Sequence, residues 1–157
     1  MSTSNRIADQ FAKLFDGDAW IDVNIMSTLR PLSAHQAAAK SLGNMNSIWE
    51  IVNHLIGWRE AILKKLMGEN IASPENNFFE PIINSSDKAW QETLVRLKAS
   101  QQKWVVMVET MNEDQLDEVL TPASQTKYYL IEGILQHDAY HLGQIVLLKR
   151  LYERLCE

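Results

Sequence analysis

The sequence predicts an all-α protein in which four main helices form a four-helix bundle. Apolar residues recur every three to four positions in four long stretches, which is the period of an amphipathic helix. Period-two alternation and Asn-Gly hairpin turns are absent from the sequence, so we predict no β-strand. A chain of 157 residues is long enough to bury a core as one domain over residues 1–157.

The first helix is predicted over about residues 3–15, and a shorter helical segment over about residues 19–29. This second segment should end near Pro31, because a proline disfavours helical geometry in the residue before it. Ser33 and Gln36 then have the spacing of a capping box, in which each side chain accepts from the other residue's backbone N–H. A further short helical stretch is therefore expected after Ser33.

The second main helix carries clearer signals at both ends. Ser47 and Glu50 form a second capping-box pattern, and an apolar stripe follows them. Gly68 suits the left-handed conformation that commonly ends a helix. Residues 69–84 contain two prolines and a run of asparagines, which is typical of an irregular connection. A connection this long favours a crossover between the second and third helices over a tight hairpin.

The third and fourth helices are predicted over about residues 86–111 and 127–154. Each carries an apolar stripe at helical spacing. Those stripes contain Trp90, Leu94, Leu97, Trp104, Val105 and Val108 in the third helix, and Ile131, Ile134, Leu135, Leu142, Ile145 and Leu148 in the fourth. Four amphipathic helices of this length bury their stripes against one another, which is why a bundle is expected.

Composition and charge narrow the class of function. The net charge is -5 and the basic residues are scattered, so a nucleic acid is not expected as a partner. No window approaches the roughly 18 apolar residues of a membrane span, and residues 1–10 lack the apolar region of a signal peptide. The single cysteine, Cys156, cannot form an internal disulfide. We therefore expect a cytoplasmic protein that does not act at a membrane.

Three of the four histidines suggest a metal site. His137 and His141 are four residues apart, so on a helix they project from one face within reach of the same small cation. His54 lies beside the apolar stripe of the second helix and is the candidate third ligand. Neutral imidazole is a common metal ligand, and three protein ligands leave a coordination position open for water or substrate.

Each of these histidines also has a simpler interpretation. A single histidine on an apolar helical face is usually a packed core residue, and His54 on its own would be read that way. His35, near a helix start, is expected to be exposed to solvent. Asp138 lies on the apolar face of the fourth helix, where an unpaired carboxylate is costly to bury. We expect it to accept a hydrogen bond, either from the second N–H of a metal-bound histidine or from a structural partner.

Gly57 is unusual in the middle of a helix, because glycine there costs roughly 1 kcal/mol relative to alanine. Together with Ala61 it leaves a hollow of small residues beside His54. The hollow has two interpretations, which are room for a ligand and close packing of another helix.

Four segments of the sequence together resemble the DinB/YfiT-like superfamily, in the same order and over nearly the whole chain. They are Gly17-Asp18-Ala19-Trp20, Ser47-Ile48-Trp49-Glu50-Ile51-Val52-Asn53-His54, Trp58-Arg59 and His137-Asp138-Ala139-Tyr140-His141-Leu142-Gly143-Gln144-Ile145. The resemblance implies a four-helix bundle with up-down-down-up topology. It also implies a divalent metal bound by one histidine of the second helix and an H-x-x-x-H pair of the fourth. The matching residues here are His54, His137 and His141.

The resemblance constrains function less tightly than fold. Relatives include metal-dependent transferases that join low-molecular-weight thiols to electrophiles, isomerases that use a thiol cofactor, and proteins described as hydrolases. Many others have no known reaction. Dimers are common in the family, so a homodimer is expected.

Three functional hypotheses follow, and the first is a metal-dependent transferase that joins a low-molecular-weight thiol to a small electrophile. The metal would bind the thiol sulfur and favour the reactive thiolate. Glu50 and Gln144 are candidate catalytic residues that contact water or substrate, and Trp58 is a candidate wall for the bound thiol. A solvated glutamate in a capping box is the alternative interpretation of Glu50.

The second hypothesis is a metal-activated hydrolase, in which the ion lowers the pKa of a bound water. The third is a binding protein in which the metal only stabilises the bundle. Three imidazoles suit zinc, nickel, iron and copper, and we expect zinc or nickel.

Overall fold

Helices account for most of the chain in the computed structural model, which describes residues 1–40, 43–121 and 124–155. The all-α prediction is confirmed at this level. Cys156 lies outside the described residues, so the statement about it stays a prediction. None of the described helices is both long enough and apolar enough to cross a bilayer.

The helices and strands of the described residues follow one another in a simple order. They are α1 (Thr3–Phe15), α2 (Ile25–Leu29), α3 (Ala34–Ala38), α4 (Ile48–Leu66), α5 (Asp87–Glu109), α6 (Glu113–Asp117), β1 (Val119–Leu120), β2 (Gln125–Thr126) and α7 (Lys127–Leu155). The four main helices predicted from the sequence correspond to α1, α4, α5 and α7.

The predicted helix starts at the two capping boxes are confirmed. The Ser47 side chain accepts from the Glu50 N–H, and the Glu50 carboxylate accepts from the Ser47 N–H. The same reciprocal pair joins Ser33 and Gln36 at the start of α3. Gly68 follows the end of α4 with φ of 91°, in the left-handed region expected there.

The segment predicted over residues 19–29 is helical only in α2, so the prediction of a helix was wrong for the first half of this segment. Asn24 caps α2 by accepting a hydrogen bond from the Ser27 N–H, which starts the helix late. Asp22 just before it has φ of 61°, a conformation that interrupts a right-handed helix.

The prediction of no strand was also wrong. β1 and β2 form an antiparallel pair in which Val119 lies opposite Thr126 and Leu120 opposite Gln125. Two residues per strand are too few to display a period-two pattern, which is why the sequence gives no strand signal here. The short helix α6 before β1 was likewise not predicted.

The long helices pack pairwise around the core. α4 contacts α5 and α7, and α1 also contacts α5 and α7. One apolar cluster joins α4 to the first half of α5, where the rings of Trp49 and Trp90 lie 5.0 Å apart. A second cluster joins α1 to α5 and α7, where Phe11 meets Trp104 edge-on. The contact between α4 and α7 brings His54 of α4 close to His137 and His141 of α7.

Candidate metal centre

His54, His137 and His141 come together between α4 and α7, as the sequence predicts. One ring nitrogen of each lies within 4.8 Å of those of the other two. Nε2 of His54 is 2.9 Å from Nε2 of His137, although these residues are 83 positions apart in the sequence. His54 and His141 are buried, and His137 is partly exposed.

Hydrogen bonds on the outer side of two rings determine which nitrogen faces the centre. Nδ1 of His54 is 2.6 Å from the carbonyl oxygen of Asn77, and Nδ1 of His141 is 2.7 Å from Oε1 of Gln144. Both oxygens are acceptors only, so each Nδ1 carries the proton and donates it. The lone pair of each ring is then on Nε2, which is the form a metal ligand requires.

His137 differs from the other two rings. Its buried Nδ1 has no hydrogen-bond partner among the described residues, and the nearest carboxylate oxygen, Oδ1 of Asp138, is 3.7 Å away. The 2.9 Å contact with His54 requires His137 Nε2 to donate, because His54 Nε2 bears a lone pair. A cation on the three Nε2 atoms would instead leave the proton of His137 on Nδ1, on the side of Asp138. The donor set therefore fits a metal ion.

The electrostatic environment keeps the His54 and His141 imidazoles neutral. Burial lowers the pKa of His54 from 6.5 to about 4; the hydrogen bond to Asn77 opposes this shift, and the neighbouring imidazoles add to it. Burial and the adjacent His137 also lower the pKa of His141. At neutral pH both rings therefore have the lone pair that ligation needs.

Asp138 is fully buried, and its partner is Arg59 of α4. Nε and Nη2 of Arg59 donate to Oδ2 of Asp138 at 3.0 and 2.6 Å. The side chains of the pair are 2% and 0% exposed, which makes this a buried ion pair. Oδ1 of Asp138 has no hydrogen bond to any residue that the structure describes, and it is the oxygen that faces His137. Asp138 thus accepts hydrogen bonds from a structural partner, as expected. Its Oδ1 comes close to Nδ1 of His137, a candidate metal ligand, but does not form a hydrogen bond with it.

Sequence reasoning missed Arg59 as a functional neighbour. The signal that could have found it is Asp138 itself, because a carboxylate on an apolar helical face requires a buried cation opposite it. Arg59 lies five residues after His54 on the helix that faces α7.

The crossover between α4 and α5 contributes directly to the site, which the sequence did not predict. Besides the Asn77 carbonyl on His54, the Asn77 side chain accepts a hydrogen bond from Nε1 of Trp58 at 3.1 Å. The ring of Phe79 stacks on His54, with 3.9 Å between the centroids and 9° between the planes. Loop residues carry no periodic pattern, so no sequence signal pointed to them.

The hollow predicted at Gly57 is occupied by a side chain of this crossover. A Cβ atom on residue 57 would lie 2.6 Å from both Cβ and Cγ of Phe78. The residue packed against Gly57 belongs to the crossover and not to another helix, and Gly57 and Ala61 also line a separate open pocket of about 410 Å³. The glycine is needed because Phe78 packs directly against the backbone of α4.

An open pocket of about 510 Å³ surrounds the three histidines. Trp58 and Gln144 both line it, and their contact with a substrate or cofactor stays a prediction. Phe79, Leu147 and Leu148 add apolar surface, and the remaining lining includes carboxamide groups of Asn44, Asn46 and Asn77.

Glu50 lies outside the residues that line this pocket. Its Oε2 accepts from the Ser47 N–H at 2.7 Å, and its Oε1 is 3.1 Å from Nζ of Lys40. The capping-box interpretation is therefore confirmed, but the glutamate is buried at 5% exposure and not solvated. Its catalytic role stays a prediction. His35 is exposed as expected, with Nδ1 3.0 Å from the Tyr152 hydroxyl.

Comparison with known proteins identifies the family. A family model described as the DinB superfamily matches residues 23–145, a span that includes all three histidines. No curated protein and no solved structure matches the chain significantly. Because the family model covers most of the sequence, the chain belongs to the DinB superfamily.

Proposed function

We propose that this member of the DinB superfamily binds a divalent metal ion through His54, His137 and His141 and joins a low-molecular-weight thiol to a small electrophile. The observation that carries the proposal is the convergence of three imidazoles, two of them with Nδ1 held by an acceptor, at the wall of an open pocket. Zinc and nickel are the ions we expect, since both accept nitrogen ligands.

The number of ligands favours a functional ion over a purely structural one. Structural zinc sites are closed by four protein ligands, whereas catalytic sites keep a position open. Among the described histidines, cysteines and acidic residues, the group close enough to hold an ion at this centre consists of the three histidines. A bound ion would supply the chemistry of thiolate stabilisation at the open position.

The residues around the centre have distinct proposed roles. Gln144 orients His141 through Oε1 while its Nε2 donates to the Tyr140 hydroxyl at 3.0 Å, so it links a ligand to the pocket rim. Trp58 is held by its bond to Asn77 and presents its ring to the pocket. Both oxygens of Glu50 are engaged at the start of α4, which supports a structural role for it more than contact with substrate.

The pocket lining supports a small-molecule substrate. Aromatic and aliphatic side chains provide apolar contact area, and a few carboxamides provide donors and acceptors for orientation. This combination suits a compact electrophile better than a macromolecule. Nucleic acid and membrane are not among the partners we propose.

Hydrolysis is less well supported, because the general base it needs is not evident. The two buried carboxylates nearest in sequence to the ligands, Asp138 and Glu50, are both engaged in ion pairs. A metal that only stabilises the fold is the remaining alternative, and the experiments below separate it from the enzyme.

Fold topology and assembly complete the proposal. The contacts of α4 and of α1 with both α5 and α7 support a four-helix bundle, and up-down-down-up topology is proposed from the family resemblance. A homodimer and a cytoplasmic location are proposed on the same basis. Sedimentation velocity of the purified protein would test the homodimer.

The first experiment is elemental analysis of tag-free protein beside the variants His54→Ala and His141→Ala. We expect nearly one zinc or nickel ion per chain in the parent and almost none in either variant. His35→Ala is the matched control, because His35 is exposed and bonded to Tyr152 away from the centre; it should keep its metal. A parent that takes up neither ion from solution would overturn the proposal.

The second experiment tests the reaction with the metal-loaded protein. Product formation from an electrophile should require an added thiol. Turnover without thiol would instead favour the hydrolase. If no turnover is found and removal of the metal lowers the midpoint of thermal unfolding, the structural role is favoured.

A further inference from the structure

We propose that residues 77–79 of the crossover form a clamp that fixes the His54 imidazole for metal binding, and that Gly57 is the positioning residue that allows the clamp to close. The metal-binding part of this inference rests on the proposed function, whereas the orientation of the ring can be tested without metal.

The clamp holds the His54 ring at its edge and on its face. The Asn77 carbonyl receives the Nδ1 proton at 2.6 Å, and the Phe79 ring lies parallel to the imidazole at 3.9 Å. Rotation of the imidazole about χ2 would lose both contacts together. The ring is therefore held with Nε2 directed at the other two histidines, which is the preorganisation a metal ligand needs.

The clamp has a backbone conformation that its residues rarely adopt. Asn77 has φ of 51° and Phe78 has φ of 61°, and this left-handed region is unusual for a residue as bulky as phenylalanine. Such a conformation persists only where surrounding contacts hold it. Here the Phe78 N–H donates to Oδ1 of Asn76 at 3.1 Å, and Trp58 donates to the Asn77 side chain.

Gly57 provides the surface on which the clamp closes. Phe78 lies so near the α4 backbone that a Cβ on residue 57 would be 2.6 Å from its Cβ and Cγ, far inside contact distance. The blocking atoms are next to the backbone of residue 78, so they cannot move without moving residues 77 and 79. Gly57 is three residues from His54 and is not among the residues that line the pocket around the three histidines, so we expect it to act through the clamp.

Gly133 of α7 offers a matched control. It is also a mid-helix glycine, but a Cβ added there would meet no atom of the described residues within 4 Å. Gly133→Ala should therefore have no effect on His54. Any general effect of replacing a helical glycine by alanine will appear in both variants, and only the clamp distinguishes them.

The first readout is the tautomer of His54 in the metal-free protein, from two-bond ¹H–¹⁵N imidazole spectra. We expect the proton on Nδ1 in the parent and in Gly133→Ala, and loss of that single state in Gly57→Ala. The second readout is the zinc Kd from chelator competition. Loss of a hydrogen-bond partner of a metal ligand typically weakens binding by about 10–100-fold. We expect at least a roughly tenfold weaker Kd in Gly57→Ala and a change below about twofold in Gly133→Ala.

A compensating variant tests the cause. Phe78→Gly removes the atoms that a Cβ on residue 57 would meet and accepts the positive φ at that position. Gly57→Ala combined with Phe78→Gly should therefore recover the Nδ1 tautomer and most of the zinc affinity. If the combination stays as weak as Gly57→Ala alone, the contact between residues 57 and 78 is not the cause and the inference fails.

Other outcomes are equally decisive. An unchanged tautomer and an unchanged Kd in Gly57→Ala would overturn the inference. If that variant does not fold, Phe79→Leu removes the stacked ring without a clash and leaves the Asn77 acceptor in place; it should weaken zinc binding, and an unchanged Kd would overturn the clamp. If the parent binds no zinc, the proposed function fails, and the tautomer spectra alone decide the clamp.

Discussion

The two sides of the metal centre are built differently. On the α4 side, His54 has an acceptor for its Nδ1 proton and an aromatic ring against its face. On the α7 side, His137 has a buried Nδ1 that finds no partner in the described part of the chain, 3.7 Å from a carboxylate that is already bound to Arg59. The first side is preorganised for a ligand role before any ion arrives. The second side gains its full set of interactions only when the proton of His137 moves to Nδ1.

This difference teaches how a chain can combine stability with a functional site. The buried Arg59–Asp138 pair joins α4 to α7 beside the histidines, and the crossover closes over the opposite edge. The Arg59 guanidinium also lies 5.5 Å from the centre of the Phe15 ring, which ties α1 to the same pair. Breaking either side should therefore have separable effects.

The largest change in the free energy of unfolding is expected from a substitution of Asp138. Asp138→Ala would leave the Arg59 charge buried without a counterion, which typically costs about 3–5 kcal/mol. Urea unfolding of the metal-free protein, followed by circular dichroism, would measure the loss. Replacing both partners, with Arg59→Met and Asp138→Leu together, should restore most of the stability because no charge stays buried. A loss below about 1 kcal/mol for Asp138→Ala would show that the pair does not join the helices.

An intermediate effect is expected from acid on the His54 side. The pKa of His54 is about 4 in the folded protein and 6.5 ordinarily, so the unfolded chain takes up the proton first as pH falls. The free energy of unfolding of the metal-free protein should therefore decrease as pH falls from about 6.5 towards 4. The lowered pKa of His141 acts in the same direction.

Unfolding curves at a series of pH values would test this. His54→Ala should show a shallower decrease than the parent between these limits, because one group with a lowered pKa has been removed. An identical slope in the two proteins would mean that His54 does not carry the effect.

The smallest effect is expected at the start of α4. Ser47→Ala removes the hydroxyl that accepts a hydrogen bond from the Glu50 N–H, and such caps stabilise a protein by about 1 kcal/mol. Metal affinity should not change, because His54 is oriented by residues of the crossover and not by the helix start. A chelator titration beside the unfolding curve would compare the two quantities. Weaker metal binding in this variant would mean that Glu50 and its neighbours contribute to the metal site, which their contacts do not indicate.

Much of the fold could be predicted from local patterns. The spacing of apolar residues predicts the four long helices α1, α4, α5 and α7. The Ser47–Glu50 capping box and Gly68 mark the two ends of α4. Strands of two residues, such as β1 and β2, are too short to show a periodic pattern. The late start of α2 depended on which of several polar residues acted as the cap.

The candidate site was predictable only in part. The spacing of His137 and His141 places them on one face of α7, since helix geometry depends on residues within one turn. His54 was a candidate third member from its place beside an apolar stripe, and the family resemblance implied the same residue. The crossover contacts of Asn77 and Phe79 came from neither spacing nor resemblance.

The sequence by itself determined the helical class, both ends of α4 and the local pairing of two histidines, because these depend on interactions between residues at most a few positions apart. The tertiary structure alone decided that Arg59 neutralises Asp138, that Phe78 packs against Gly57, and that a loop orients His54. Those contacts join segments about 20 to 80 residues apart, and their partners are selected by how the helices pack, which no local pattern records.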